Sequence, residues 1–360
     1  FPYTSRKNLP ADTLFPLTLE QAMPASFEGL TPQNSDVYSF PNLKLPYVYE
    51  WNLAMDQSYG ANQTMTASYI AAVGRRLLRT EDFFRPNPNF SQVFVTRNAV
   101  TSDYHALQLE FQRRLSHGFQ ALASYTWSHS IDDISNDSSI TNLPASLFSP
   151  SRDRGSSDFD VRHAISAGLT YDLPTPTSGV FGKAILGKWS IDSVITARSA
   201  TPVDLVGRIV FTGFLSFVRP DFIPGVPFYL NDPSAGGGKR FNPSAFVPPP
   251  IDPVTGLLLR QGTLGRNVLR GFPVSQIDFA LRRRFNLTET FHLQLKMEVF
   301  NLFNHPNFGN PVNSLSSPQF GRSQAMFGRS LGSGGLNGGF NPLYQVGGPR
   351  SIQLSLKLQF

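Results

Sequence analysis

Cysteine is absent from all 360 residues, which excludes disulfides and thiolate metal sites and leaves the compartment unreadable from redox chemistry. No apolar run approaches the ~18 residues of a membrane-crossing helix. The nearest, "IVFTGFLSFV" at 209–218, has the length of a strand or a hairpin within a loop. The net charge of +6 and the pI near 9.6 are not gathered into any run of five or more basic residues, so a nucleic-acid partner is not expected. The chain begins "FPYTSRKNLP", without methionine and without the basic start, apolar run and small-residue site of a signal peptide. That opening reads as a mature form or a fragment. Hydrophobic residues make up 40%, below the usual ~45–50%, so a generous core is not expected either.

Present in abundance are 31 Phe, 11 Tyr, 29 Gly and 29 Pro, a mixture that disfavours long helices and favours strands joined by irregular loops. Strict apolar/polar alternation then recurs along the chain. In "RSIQLSLKLQF" the residues Ile352, Leu354, Leu356, Leu358 and Phe360 share one side. Tyr47, Tyr49, Trp51, Leu53 and Met55 do the same, as do Met65 to Val73, Leu107 to Phe111, Phe119 to Trp127, Ile165 to Tyr171, Trp189 to Ala197, Ile277 to Leu281 and Phe291 to Val299. These are about nine strands of roughly ten residues, the length that crosses a bilayer at a tilt.

A soluble β-sandwich also alternates, and the connections separate the two readings. Short turns at 58–63, 115–118, 173–187 and 286–290 interleave with long segments at 76–102, 131–160, 200–273 and 303–349. This regularity predicts an all-β fold: an antiparallel transmembrane outer-membrane β-barrel, partial, with long extracellular loops and short periplasmic turns. Apolar side chains then face lipid and polar ones an aqueous lumen, where Glu50, Glu110, Asp192, Lys296 and Glu298 need no special partners. Tyr47, Tyr49, Trp51, Tyr125, Trp127 and Trp189 fall near strand ends, as an aromatic girdle at the headgroup level requires. An odd number of strands cannot close on itself with antiparallel neighbours throughout, so further strands are expected.

Particular stretches add a resemblance. "FNLFNHPNFGNP" (300–311), "RGSSDFDVRH" (154–163), "ASYTWSHSIDD" (123–133), "KWSIDSVITARSATP" (188–202), "FNPSAF" (241–246) and "LGRNVLRG" (264–271) resemble the C-terminal barrel portion of TonB-dependent receptors, in particular the Oar-like group that carries a carboxypeptidase-regulatory-like domain. The similarity runs in order from about Tyr47 onward, so residues 47–360 resemble the C-terminal part of such a barrel and 1–46 an extracellular loop. The resemblance implies a larger barrel with a plugged lumen, ligand capture by external loops and energised uptake. The partners it implies are the outer-membrane bilayer, the barrel-assembly machinery, the TonB complex through an N-terminal part not seen here, and an extracellular ligand. It also implies that the row Ile352, Leu354, Leu356, Leu358 and Phe360 is the signal read by the barrel-assembly machinery. A surface adhesion or structural barrel without transport is the alternative.

The chemistry-bearing residues point to no reaction. The six histidines lack zinc spacing. His129 beside Asp132 and Asp133 is the only arrangement suggesting acid–base work, and no second Asp–His constellation accompanies it. No catalytic, cofactor-binding or metal residue is assigned. "SAGGGKR" (234–240) lacks the setting of a phosphate loop and reads as a flexible loop tip. Arg154, Asp158, Asp160 and Arg162 are expected to pair locally at the barrel rim. "FNLFNHPNFG" is expected to act through turn chemistry at Asn304, Pro306 and Gly309.

Overall fold

In the computed structural model, the residues described are 16–22, 36–39, 42–87, 90–135, 150–175, 187–211, 214–254, 259–330 and 346–359. Nine long strands form one sheet: β1 (Tyr47–Tyr59), β2 (Gln63–Asn87), β3 (Phe90–Ser116), β4 (Phe119–Asp132), β5 (His163–Asp172), β6 (Trp189–Arg198), β7 (Val274–Asn286), β8 (His292–Phe300) and β9 (Ser351–Gln359). Each pairs antiparallel with its neighbours in chain order, and the sheet ends on β1 and β9. Two short pieces extend it: Asp36–Ser39 pairs parallel with β3, and Gly155–Ser156 pairs with the end of β4.

The register gives each side of the sheet a predominant character. Met65, Phe111, Ala123, Ala167, Ile195 and Ile277 lie in one cross-strand row. Phe119, Tyr171, Ile191, Leu281, Met297 and Leu354 lie in another on the same side. The opposite side carries Thr66, Glu110, Ser124, Ser166, Thr196 and Gln276, then Asp172, Ser190, Arg282, Lys296 and Ser355. On the apolar side Leu354 is 71% and Leu356 67% exposed. Side chains of this kind left so open mark a surface built for lipid rather than water.

The apolar band has a measurable height. Along β6 it runs from Trp189 to the level of Ser199, which accepts the backbone of His163 beside Trp127. Ten residues at ~3.4 Å, tilted ~45°, rise ~24 Å, which matches the ~25 Å apolar belt of an outer-membrane barrel.

One expected loop is a sheet. The segment 76–102 continues β2 and β3, which pair out to Asn87 and Phe90. The alternation stops near Val73 because strands that rise beyond the bilayer have no lipid to face, whereas their backbones still require partners. A register shift between Gly74 and Leu77, with Arg76 at φ 55, marks the change. The polar side also differs from expectation. Asp192 meets Arg282 at 3.0 Å and Thr170 at 2.8 Å, and Lys296 meets Glu298 at 2.7 Å. Neighbours on one face, across strands for Asp192 and two residues along β8 for Lys296, lie within reach of each other even in an aqueous lumen.

The short connections use turn residues where the backbone demands them. At the β3–β4 hairpin His117 and Gly118 both have positive φ, 52 and 75. This is the twist-compatible pattern of a two-residue hairpin. A Cβ on Gly118 would stand 2.6 Å from the Asp172 carbonyl oxygen. Gly118→Ala is therefore expected to destabilise the barrel by ~1–2 kcal/mol, read as a lower urea midpoint after refolding into lipid vesicles. An unchanged midpoint would show that the turn relaxes freely.

Candidate functional site

At the end of the sheet opposite the short turns, the segments between β6 and β7 and after β8 fold onto each other. Antiparallel pairs join Gly207–Phe211 to Phe214–Val218, Asp221–Phe222 to Phe246–Val247, Tyr229–Asn231 to Lys239–Phe241, and Leu269–Arg270 to Pro202–Val203. Their buried core is Val203, Leu205, Phe241, Ala245, Phe246, Leu264, Leu269 and Phe320. None of these residues belongs to the nine strands. The long loops thus make a unit with its own core.

The motifs explain the local folding. In "FNPSAF" Asn242 accepts a hydrogen bond from the Ser244 N–H at 3.1 Å and donates to the Pro227 carbonyl at 2.9 Å, which caps the turn Pro243–Ala245 and buries Ala245 and Phe246. In "SAGGGKR" Gly237 has φ 75, and the Phe272 ring comes within 2.3 Å of where its Cβ would stand. That stretch is the tip of the hairpin joining Tyr229–Asn231 to Lys239–Phe241, and at Gly237 glycine is required by the positive φ and by the ring that crosses it. In "FNLFNHPNFG" the chain turns at Asn301 and Asn304, both with φ 51. Asn301 donates to the His305 and Gly348 carbonyls, and Asn307 exchanges hydrogen bonds with both backbone groups of Ser275. Amide side chains here replace missing strand partners.

The unit sits on the rim through charge. Arg266 reaches Asp132 at the end of β4 at 2.5 Å and Asp158 at 3.0 Å. Asn267 donates to Asp158 at 2.6 Å and to the Ser156 carbonyl at 2.7 Å. Arg270 reaches Asp160 at 2.7 Å. Asp153 is shared by Arg219 of the unit, at 2.8 Å, and Arg79 of β2, and all three side chains are buried. Asp160 also accepts the Ser130 N–H at 2.9 Å. Burial alone would raise its pKa, but the Ser130 N–H, Arg270 and His129 outweigh that and hold it below the usual carboxylate range. Asp204 of the unit is the counterexample. Burial dominates there and pushes its carboxyl up to about 6, against the opposing pull of Arg219, the Asn267 N–H and Arg266.

The sequence-derived residues are distributed as follows. Asp158 and Asp160 bind arginines from the loop unit 108 and 110 positions along the chain, while Arg154 pairs with Asp103 and Arg162 with Asp160 at 3.2 Å. His129 contacts Asp160 at 3.2 Å and Arg162 at 3.0 Å, not Asp132 or Asp133. Tyr47, Tyr49, Trp51, Tyr125 and Trp127 lie toward the loop end, with Tyr125 bonded to His163 at 2.8 Å, and Trp189 lies toward the turn end under Arg283. Ile352, Leu354, Leu356 and Leu358 line the outward side of β9, and Phe360 lies outside the described residues. Sequence reasoning missed Arg79, Asp153, Arg219, Arg266 and Arg270. The one available signal was the opposite charge of two quoted stretches, cationic "LGRNVLRG" and anionic "SSDFD".

A two-faced antiparallel sheet with a lipid-height apolar band and one loop-rich end defines a membrane β-barrel chain. Residues 1–333 match the family model described as outer membrane beta barrel domain, and the chain belongs to that family. Its location is the outer membrane, of the Gram-negative type. No curated protein matches it. Among solved structures it is similar to the outer membrane transporter YddB from Escherichia coli, at 9% identity and TM-score 0.47, covering 89% of this chain and 34% of that one. It is similar to the FrpB iron transporter from Neisseria meningitidis at 13% identity and TM-score 0.40, covering 90% and 32%. It is also similar to the ferripyoverdine receptor of the outer membrane of Pseudomonas aeruginosa at 10% and 0.43, covering 87% and 27%. The chain thus spans about a third of the length of the first of these structures.

Proposed function

We propose that this chain is the C-terminal part of the barrel of a TonB-dependent outer-membrane receptor, whose loop unit captures an extracellular ligand for energised uptake. The observation that carries this reading is the separately cored loop unit fixed on the loop-rich end of the sheet. Binding residues concentrate on such loops when a rigid scaffold positions them. In this reading the aromatic rows around Trp51 and Trp127, and around Trp189, anchor the barrel at the two headgroup levels. The outward row and free edge of β9 present the template that the barrel-assembly machinery recognises. In this reading TonB engages the N-terminal part of the intact receptor.

The test uses the full gene product in cells given four labelled probes: an iron(III)–siderophore, cobalamin, a malto-oligosaccharide and an oligopeptide. Uptake of one probe is expected, and it should stop on collapse of the proton-motive force and on deletion of residues 205–268. Surface binding without energised uptake would replace transport with the adhesion reading.

A further inference from the structure

The loop unit joins the barrel in two chemically different ways. Its ends are covalent continuations of β6, β7 and β8, supported by the Gly271 N–H on the Thr201 carbonyl at 3.0 Å and by Asn307, which follows β8, on Ser275. Across the rim, toward β2 and β4, its partners are charges: Arg219 on Asp153, Arg266 on Asp132 and Asp158, Arg270 on Asp160. The unit's apolar core draws on none of the nine strands.

We propose that this charged seat is a latch, from which the loop unit lifts off the rim as a folded body while its own core stays closed. The physical reason is the difference between ionic and apolar interfaces. When a buried ion pair separates completely, both partners regain hydration, and the exchange is close to neutral. Separating an apolar core returns nothing, at ~25 cal/mol for each Å² exposed. A body with an apolar interior and an ionic seat therefore opens at the seat first. The remaining joint at β6, β7 and β8 is the hinge. This inference concerns the mechanics of the loop unit and stands whether or not the barrel transports.

Amide hydrogen exchange on the whole chain, refolded in lipid vesicles, tests the latch. The reporters at the seat are the two hydrogens of the Asn267 side-chain amide, which donate across it to Asp158 and to the Ser156 carbonyl. The reporters inside the unit are the Phe241 N–H, bonded to the Gly321 carbonyl, and the Asn242 N–H, bonded to the Phe228 carbonyl. The seat amide hydrogens are expected to be protected at least tenfold less than those of the unit's core, each relative to the same group in an unstructured peptide. Arg266→Gln is expected to speed the seat amides by a further tenfold or more and to leave Phe241 and Asn242 unchanged. If that variant does not fold, Asp158→Asn, whose side chain is half exposed, is expected to give the same pattern at smaller size. Equal protection at the seat and in the core, or a parallel loss of it in both, would overturn the latch and make unit and rim one cooperative block.

Discussion

Placing arginine at Ala167 is expected to destabilise the barrel by ~2–4 kcal/mol, while arginine at the adjacent Ser166 costs under ~1 kcal/mol. The two positions are neighbours on β5 and differ only in the side of the sheet they occupy. Ala167 lies in the apolar row of Met65, Phe111, Ala123, Ile195 and Ile277, near the middle of the band bounded by the Trp127 and Trp189 levels. Ser166 lies among Ser124, Thr196 and Gln276. A guanidinium on the first side must be drawn through hydrocarbon to reach water, and on the second it enters an aqueous lumen. Urea midpoints after refolding into vesicles measure the difference. Equal penalties would mean that both sides of the sheet meet the same medium, which would overturn the lipid assignment of the apolar side.

Replacing Asp204 by asparagine is expected to stabilise the loop unit at pH 7.5 and to leave it unchanged near pH 4. The folded pKa is about 6, above the ordinary 3.8. The carboxyl thus contributes stability that is fully present below pH 3.8 and is lost as pH rises through about 6. At neutral pH the charged form is a net cost, at most ~3 kcal/mol, for a carboxyl moved from 3.8 to about 6. The groups facing it are Arg219, Arg266 and the Asn267 N–H, which favour its charge, and Asp158, which opposes it. Asparagine keeps an acceptor for the Asn267 N–H without carrying charge. Thermal or urea unfolding from pH 4 to 8, followed through the loop unit, measures the effect. Stabilisation that does not fade with acid would assign it to packing rather than to the buried charge.

A charged residue kept where it opposes burial points to a rim that is not tuned for maximal stability. The same holds for Arg79 and Arg219, two buried guanidinium groups that share Asp153. Ionic seats of this kind are specific in register and modest in net stability.

What the sequence determined by itself was the barrel wall. The alternation of Trp189 to Ala197 or of Ile352 to Leu358 assigns each residue a side, because a strand has a period of two and lipid admits only apolar side chains on one face. The short turns were equally legible, since "SHG" at 116–118 can form a two-residue hairpin and has no room for a longer loop. The extension of β2 and β3 was not, because strands above the bilayer lose the lipid constraint that produces the period. Asp158 and Asp160 could be singled out, but not Arg266 and Arg270 as their partners, which lie over a hundred positions away. Only the tertiary structure decided that the segments after β6 and after β8 form one cored unit and that its seat is ionic. Side-chain charge fixes what a residue can pair with, and the path of the chain fixes which partner arrives.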